Sequence, residues 1–380
     1  MRVEVKPELL RWACRRSGYS EDTLASRFPK LKEWMHGGDQ PTLKQLERFA
    51  KATNTPFGFH FLQEPPVETV PIPDFRTIGN ERIARPTPEL LDTIYLCQQR
   101  QEWYREFARA TGEPSLAFVG SARRTDDIVD TAERIRAALG FSVEERRRLS
   151  TWTEALRRFI EQADALGVLV MVNGVVGSNN RQKLDPAEFR GFALSDPIAP
   201  LVFMNGADTK AAQMFTLAHE LAHLWLGESA LSDAGLLAAP SNEIERWCNA
   251  VAAEVLAPLT ALRASLQPRE ALRETVDRLA RQFKVSTLVI LRRLHDVGSL
   301  TREELWAEYE AELARLREVP RSSGGDFYRT TAARVGNRFA RAVVSATWEG
   351  RASFTEACRL LGFKKMATFR ELSASLGVSG

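Results

Sequence analysis

Residues 214–227 read Met-Phe-Thr-Leu-Ala-His-Glu-Leu-Ala-His-Leu-Trp-Leu-Gly, MFTLAHELAHLWLG, and hold His219, Glu220 and His223 in an H-E-x-x-H arrangement. At 3.6 residues per turn, positions i and i+4 stack on one helix face, so both imidazoles can meet one metal ion. Glu220 lies about 100° further round the same turn, where its carboxylate can serve a water at the metal without being a ligand. Met214, Phe215, Leu217, Ala218, Leu221, Ala222, Leu224, Trp225 and Leu226 surround the motif, so the spacing predicts a buried helix. Two imidazoles and a carboxylate buried without partners would cost several kcal/mol, which a metal ion relieves.

A catalytic zinc site takes three protein ligands and keeps a fourth position open. The next helical stretch, SNEIERWCNAVAAEVLAPL at 241–259, offers Glu243, Glu245 and Glu254, and spacing does not choose among them. Before the motif, Val168 to Val172, Phe189 to Leu194 and Leu201 to Met204 read as strands; Leu201 to Asn205 is either a core strand or a sheet edge that takes substrate as an added strand. Helical patterns cover Leu90 to Ala110, Asp127 to Leu139, Thr151 to Leu166, Ala271 to Gln282, Ser286 to Val297 and Arg302 to Glu318. Six prolines between Glu64 and Pro88 exclude regular helix there and mark a linker. The expected organisation is a helix-turn-helix-like domain at 1–64, a linker at 65–88, a metal-binding domain at 89–300 with a second helix-turn-helix-like pair at 271–297, and a helical basic extension at 301–380.

The 380 residues, 44% hydrophobic, are enough for two or three domains with real cores. Four cysteines without a CxxC pair point to a reducing compartment. The N-terminus lacks the apolar stretch of a signal peptide, and no run of about 18 uncharged apolar residues occurs, so a cytoplasmic protein without membrane partners is expected. The net charge of +3 divides into +2 over residues 1–80, −5 in the middle and +6 from residue 320 onward. The basic end suits nucleic acid, an acidic protein or a solvated helical surface.

The segments FRGFALSDPIAPLVFMNGADTKAAQMFTLAHELAHLWLG (189–227) and EIERWCNAVAAEVLAP (243–258) resemble the ImmA/IrrE family of metallopeptidases over roughly residues 165–300. That resemblance implies an α+β, mostly helical fold with a gluzincin-like core, in which a small sheet packs beside two metal-binding helices. It also implies one Zn2+ per chain held by His219, His223 and Glu245, the first acid of an E-x-x-x-N-x-x-A-A pattern that continues to Asn249, with Glu220 as the catalytic base. No tyrosine lies between Tyr104 and Tyr309, which leaves oxyanion stabilisation to the metal, Arg190 or a remote residue. The resemblance further implies a narrow endopeptidase acting on a regulatory protein such as a helix-turn-helix repressor. The competing reading is a non-catalytic, antitoxin-like or transcriptional regulator whose zinc stabilises a binding domain.

PELLRWACRRSGYSEDTLASRF (7–28) with EWMHGGDQPTLKQLERFAKATNTPFGFHFLQEPP (33–66) resembles Xre/Cro-type repressor domains. Only five residues separate Phe28 from Trp34, too few for a full recognition helix, so DNA binding and a degenerate, protein-docking domain both stand. The segment ARQFKVSTLVILRRLHDVG (280–298) resembles the helix-turn-helix accompanying this peptidase core, with Arg292 and Arg293 as phosphate contacts or a solvated edge. The tail resembles the extension of longer family members, whose genes often adjoin toxin-like nucleases, which implies such a nuclease as a partner.

Overall fold

A computed structural model of the chain describes residues 1–75, 86–232, 242–318, 332 and 334–378. The protein is mostly helical with a small mixed sheet, an α+β fold, and forms two compact units. The first takes in Met1–Pro71 with the described residues of 84–91, and the second takes in the described residues of 72–83 and Asp92–Gly380.

The first unit contains α1 (Pro7–Arg16), α2 (Glu21–Arg27), α3 (Leu31–Met35) and α4 (Leu43–Ala52), followed by a 3-10 turn at Phe57–Phe61. Pro7 opens α1 where its missing N–H costs nothing, Ser20 caps α2 by accepting from Thr23 N, and Thr42 with Gln45 forms a capping box on α4. Leu10, Leu24, Leu31, Trp34, Leu46 and Phe49 meet in one core, where Phe28 meets Phe49 edge-on at 5.5 Å. The α3 helix has only five residues, and three of them, Leu31, Trp34 and Met35, face that core.

The second unit begins with helices. After α5 (Pro88–Thr111), which starts in the first unit, come α6 (Ile128–Leu139), α7 (Val143–Arg148) and α8 (Trp152–Leu166). Next are β1 (Leu169–Asn173), a hairpin of β2 (Val175–Val176) and β3 (Asn179–Lys183), then β4 (Gly191–Leu194) and β5 (Leu201–Asn205). The H-E-x-x-H helix is α9 (Lys210–Leu226), followed by β6 (Ala230–Ser232) and α10 (Glu243–Leu256). The chain continues through α11 (Leu259–Ala264), α12 (Leu272–Phe283), α13 (Thr287–Asp296), α14 (Arg302–Glu318), α15 (Asn337–Trp348), α16 (Phe354–Leu361) and α17 (Met366–Ser375).

The main sheet has strand order β1-β5-β4-β6, with β1 parallel to β5 and the other pairs antiparallel. The run Leu201–Asn205 is therefore an interior strand, buried at all five positions, and not a sheet edge. Both α9 and α10 pack into a single core with α6, α8 and the sheet, as their apolar flanks demand.

Helix α9 is fixed at both ends. Thr209 caps its start by accepting from Ala212 N, and Gly227 closes it in the left-handed region at φ 75. Its last carbonyls are taken by a loop, since Gly120 N donates to Leu224 O at 3.0 Å and Ala122 N to Trp225 O at 2.9 Å. A Cβ at Gly227 would stand 2.9 Å from Gly120 Cα, so this approach requires glycine.

Candidate metal centre

His219 and His223 project from α9 toward α10, where Glu245 sits in the first turn. Their Nε2 atoms are 3.1 Å apart, and the Glu245 carboxylate oxygens lie 3.2 Å from His219 Nε2 and 3.0 Å from His223 Nε2. His219 and His223 are 0% exposed and Glu245 1%, so these lone pairs face one another without solvent between them. A tetrahedral zinc site with ligand bonds of about 2.0–2.1 Å has ligand atoms about 3.3 Å apart, so the group suits such an ion. It is the one group of three or more His, Cys, Asp or Glu residues with convergent ligand atoms among the described residues.

Burial works against charge on every member of this group, but the histidines beside Glu245 hold its carboxyl down at about 2. His219 is raised against the pull of burial, chiefly by Glu245, whereas burial keeps His223 lowered. Asn249, one turn after Glu245, also favours charged His219, although neither Asn249 Oδ1 nor His219 Nδ1 has a partner of strict hydrogen-bond geometry. His219 and Glu245 thus favour each other's charged forms, while His223 is held toward its neutral form.

Glu220 is 0% exposed, and burial first, then the Glu245 charge, pushes its carboxyl up to about 8 against the opposing effect of His219. Ser232 weakly favours its ionised form, yet neither carboxylate oxygen has a partner of good hydrogen-bond geometry. Gly191 makes this placement feasible, since a Cβ there would lie 3.2 Å from Glu220 Oε1, 2.5 Å from Thr216 Cγ2 and 2.8 Å from Phe203 O. The Ser232 hydroxyl stands 3.4 Å from His223 Nε2, and the Phe75 ring stacks on His223 at 6.3 Å.

The three acids that spacing left equivalent part company here. Glu245 faces the histidines, Glu243 is exposed near Arg124 and Arg246, and Glu254 is buried against Arg293. Arg293 donates from Nε to Ala257 O at 2.9 Å and is 4% exposed, so it is not placed to touch phosphate; Arg292 pairs with Asp296 at 3.1 Å. The Arg190 guanidinium faces Asp208 at 3.8 Å. Tyr104, the last tyrosine before the motif, donates to Glu113 at 3.0 Å and accepts from Arg338 at 2.7 Å. His60 is buried against the Thr55 hydroxyl at 2.8 Å, His36 reaches Lys32 O at 2.6 Å, and all four cysteines are buried and free of disulfides. Ser232 and Phe75 escaped the sequence reading; the first lies on a three-residue strand and the second in a proline-rich stretch, neither with a periodic signal.

The small mixed sheet thus lies beside two helices, one bearing H-E-x-x-H and the other a carboxylate that faces it. Residues 163–295 match the family described as the IrrE N-terminal-like domain, Peptidase_M78, which supports the ImmA/IrrE likeness over that span and a protease-like activity. Residues 335–375 match a separate domain of unknown function, DUF8813. No curated protein matches the chain. No helix among the described residues is long and apolar enough to cross a membrane.

Proposed function

We propose that the protein is a zinc-dependent endopeptidase in which His219, His223 and Glu245 hold one ion and Glu220 is the general base. The observation that carries this reading is Glu220, a wholly buried carboxyl with no well-formed hydrogen bond beside a cluster of three ligand atoms. A purely structural zinc site is closed by its protein ligands and gains nothing from a buried base at its side. When bound, zinc supplies Lewis acidity toward a peptide carbonyl and makes water more acidic. Glu220 then accepts a proton at a carboxylate oxygen and returns it to the departing amine. Asn249 favours the charged form of His219, and Gly191 leaves space for the Glu220 carboxylate.

The substrate class that fits the family likeness is a regulatory protein, such as a helix-turn-helix repressor, in the cytoplasm. The first unit, an Xre/Cro-like domain with a shortened third helix, would dock such proteins more readily than read DNA, and a toxin-like nuclease is a further candidate partner. A second reading, a zinc-stabilised, antitoxin-like or transcriptional regulator without catalysis, draws support from the complete burial of the site.

Metal content and cleavage separate the two. The native chain and Glu220→Gln are expected to retain about one zinc per chain and Glu245→Gln much less, while only the native chain cleaves a co-incubated repressor. Zinc retention with cleavage or cellular effect unchanged in Glu220→Gln would sink the peptidase reading. Loss of that base is expected to reduce kcat at least 100-fold, following the usual worth of general-base catalysis.

A further inference from the structure

The proline-rich stretch before the second unit's helices contains an extended piece at the metal centre. Leu231, the middle residue of β6, donates from N to Pro73 O at 2.9 Å, and its carbonyl accepts from Phe75 N at 3.0 Å. Asp74 thus forms a parallel bridge to Leu231 on the side of β6 turned away from β4. Proline is tolerated at 73 because that position offers only its carbonyl to the pair. The next residue of β6, Ser232, is the one beside His223, and Phe75 stacks on the same imidazole.

An exposed sheet edge binds extended polypeptide through backbone hydrogen bonds, with alternate side chains in pockets. The described edge of β6 leads directly to His223, and it is already taken by this chain's own backbone. We propose that Pro73–Phe75 is a resident strand occupying the edge where an extended protein substrate pairs, with Phe75 in the place of a hydrophobic substrate side chain. This rests on the peptidase reading and adds to it a recognition surface and an internal competitor.

The hold is light. Pro73 and Asp74 are exposed, Phe75 is only half-buried, and among the described residues two backbone hydrogen bonds join the segment to Leu231 and one ring contact joins it to His223. Segments with few buried contacts open locally at little cost. The four residues of the centre are nevertheless 0–1% exposed, so a substrate cannot reach them unless covering groups move.

The test uses a fluorescein-labelled peptide with the sequence of residues 69–75, TVPIPDF, titrated against the zinc-loaded full chain. Phe75→Pro removes both the ring and the N–H that pairs with Leu231 O, and the residue before a proline keeps its extended conformation. The peptide should bind Phe75→Pro about tenfold more tightly than the native chain, with Phe75→Ala between; tenfold is about 1.4 kcal/mol. Equal affinity, or no binding to Phe75→Pro, overturns the proposal. Should Phe75→Pro not fold, amide exchange in the native chain decides: Leu231 N–H exchanging at least about tenfold faster than Val202 supports a displaceable strand, and equal rates overturn it. A quenched-fluorescent peptide mixture should be cut about tenfold faster by Phe75→Pro than by the native chain, and equal cutting counts against the resident strand. Absence of cutting by both, with the binding difference intact, overturns the peptidase reading and keeps the resident strand.

Discussion

Gly191 shows how much depends on a missing side chain. It begins β4 with ordinary backbone dihedrals, so its role is spatial: Phe203 O, a backbone atom of the neighbouring strand, stands 2.8 Å from where a Cβ would be. Thr216 could rotate away, but the strand cannot, and the remaining neighbour is the Glu220 carboxylate at 3.2 Å. Gly191→Ala should therefore cost about 1–3 kcal/mol, the usual range for overpacking, and shift the Glu220 carboxylate while leaving His219, His223 and Glu245 in place. Denaturant unfolding together with metal content checks this: lost stability and activity with zinc retained is expected, and an unchanged midpoint would refute the crowding argument. Nothing in the sequence announces this glycine, because its constraints come from a strand and a helix that lie twelve or more residues further along the chain. The shared face of His219 and His223 was legible, since i, i+4 spacing needs no tertiary information, whereas the convergence of Glu245 on them depends on helix-on-helix geometry that separates it from Glu243 and Glu254.

At the level of elements, α10 carries Glu245 at its start and is secured at its end by three arginines. Arg136 donates to Glu254 O at 2.6 Å, Arg146 to Val255 O at 3.3 Å, and Arg293 to Ala257 O at 2.9 Å. Cations at a helix C-terminus complement the helix dipole, and here they stand in for the glycine cap that α10 lacks. Arg293 also pairs with Glu254, both nearly inaccessible. Removing one member of such a pair strands the other charge, so Arg293→Met should cost about 3–5 kcal/mol, while Arg293→Met with Glu254→Gln should recover more than half of that. A double mutant no more stable than Arg293→Met would show that the arginine acts through the carbonyl alone. Caps and periodicity made nearly every long helix readable, including the ends at Gly140, Gly167 and Gly227, all with positive φ. The short pieces, β2, β3, β6 and α7, were not legible, because two to six residues carry too little pattern and owe their conformation to neighbours.

Across the second unit, both borders of the main sheet are covered among the described residues. Pro73–Phe75 lies on β6, and on the β1 side a Cβ at Gly336, φ +81, would stand 2.7 Å from Val170 O, so the approach of α15 to the sheet depends on a bare backbone. Covered edges protect a sheet from pairing with other chains. The basic end of the chain packs within the second unit against α5 and the chain just after it: Arg100 donates to Leu360 O at 3.1 Å, Trp103 to Glu356 at 3.0 Å, and Arg338 to Glu113 at 2.8 Å. Beside this seam, burial raises the Asp164 carboxyl from 3.8 to about 7, with Val170 N–H, Arg338 and Arg341 opposing. The folded chain then holds a proton that the unfolded chain releases, so stability should fall as pH rises from about 4 to about 7. Asp164→Asn is expected to flatten that limb and raise the melting temperature at pH 8, corresponding to about 1–2 kcal/mol. Thermal unfolding across pH measures it, and a variant with the native pH profile would assign the slope elsewhere.

The loop that takes up the last carbonyls of α9 has a further meaning. Gly120 and Ala122 hold the end of the histidine-bearing helix through the polypeptide itself, by contacts that involve neither imidazole nor carboxylate. Small zinc domains that are unfolded without metal must refold at every exchange. On the proposed function, exchange of the cation leaves this end of the helix in place, because its carbonyls are satisfied by the loop and not by the ion.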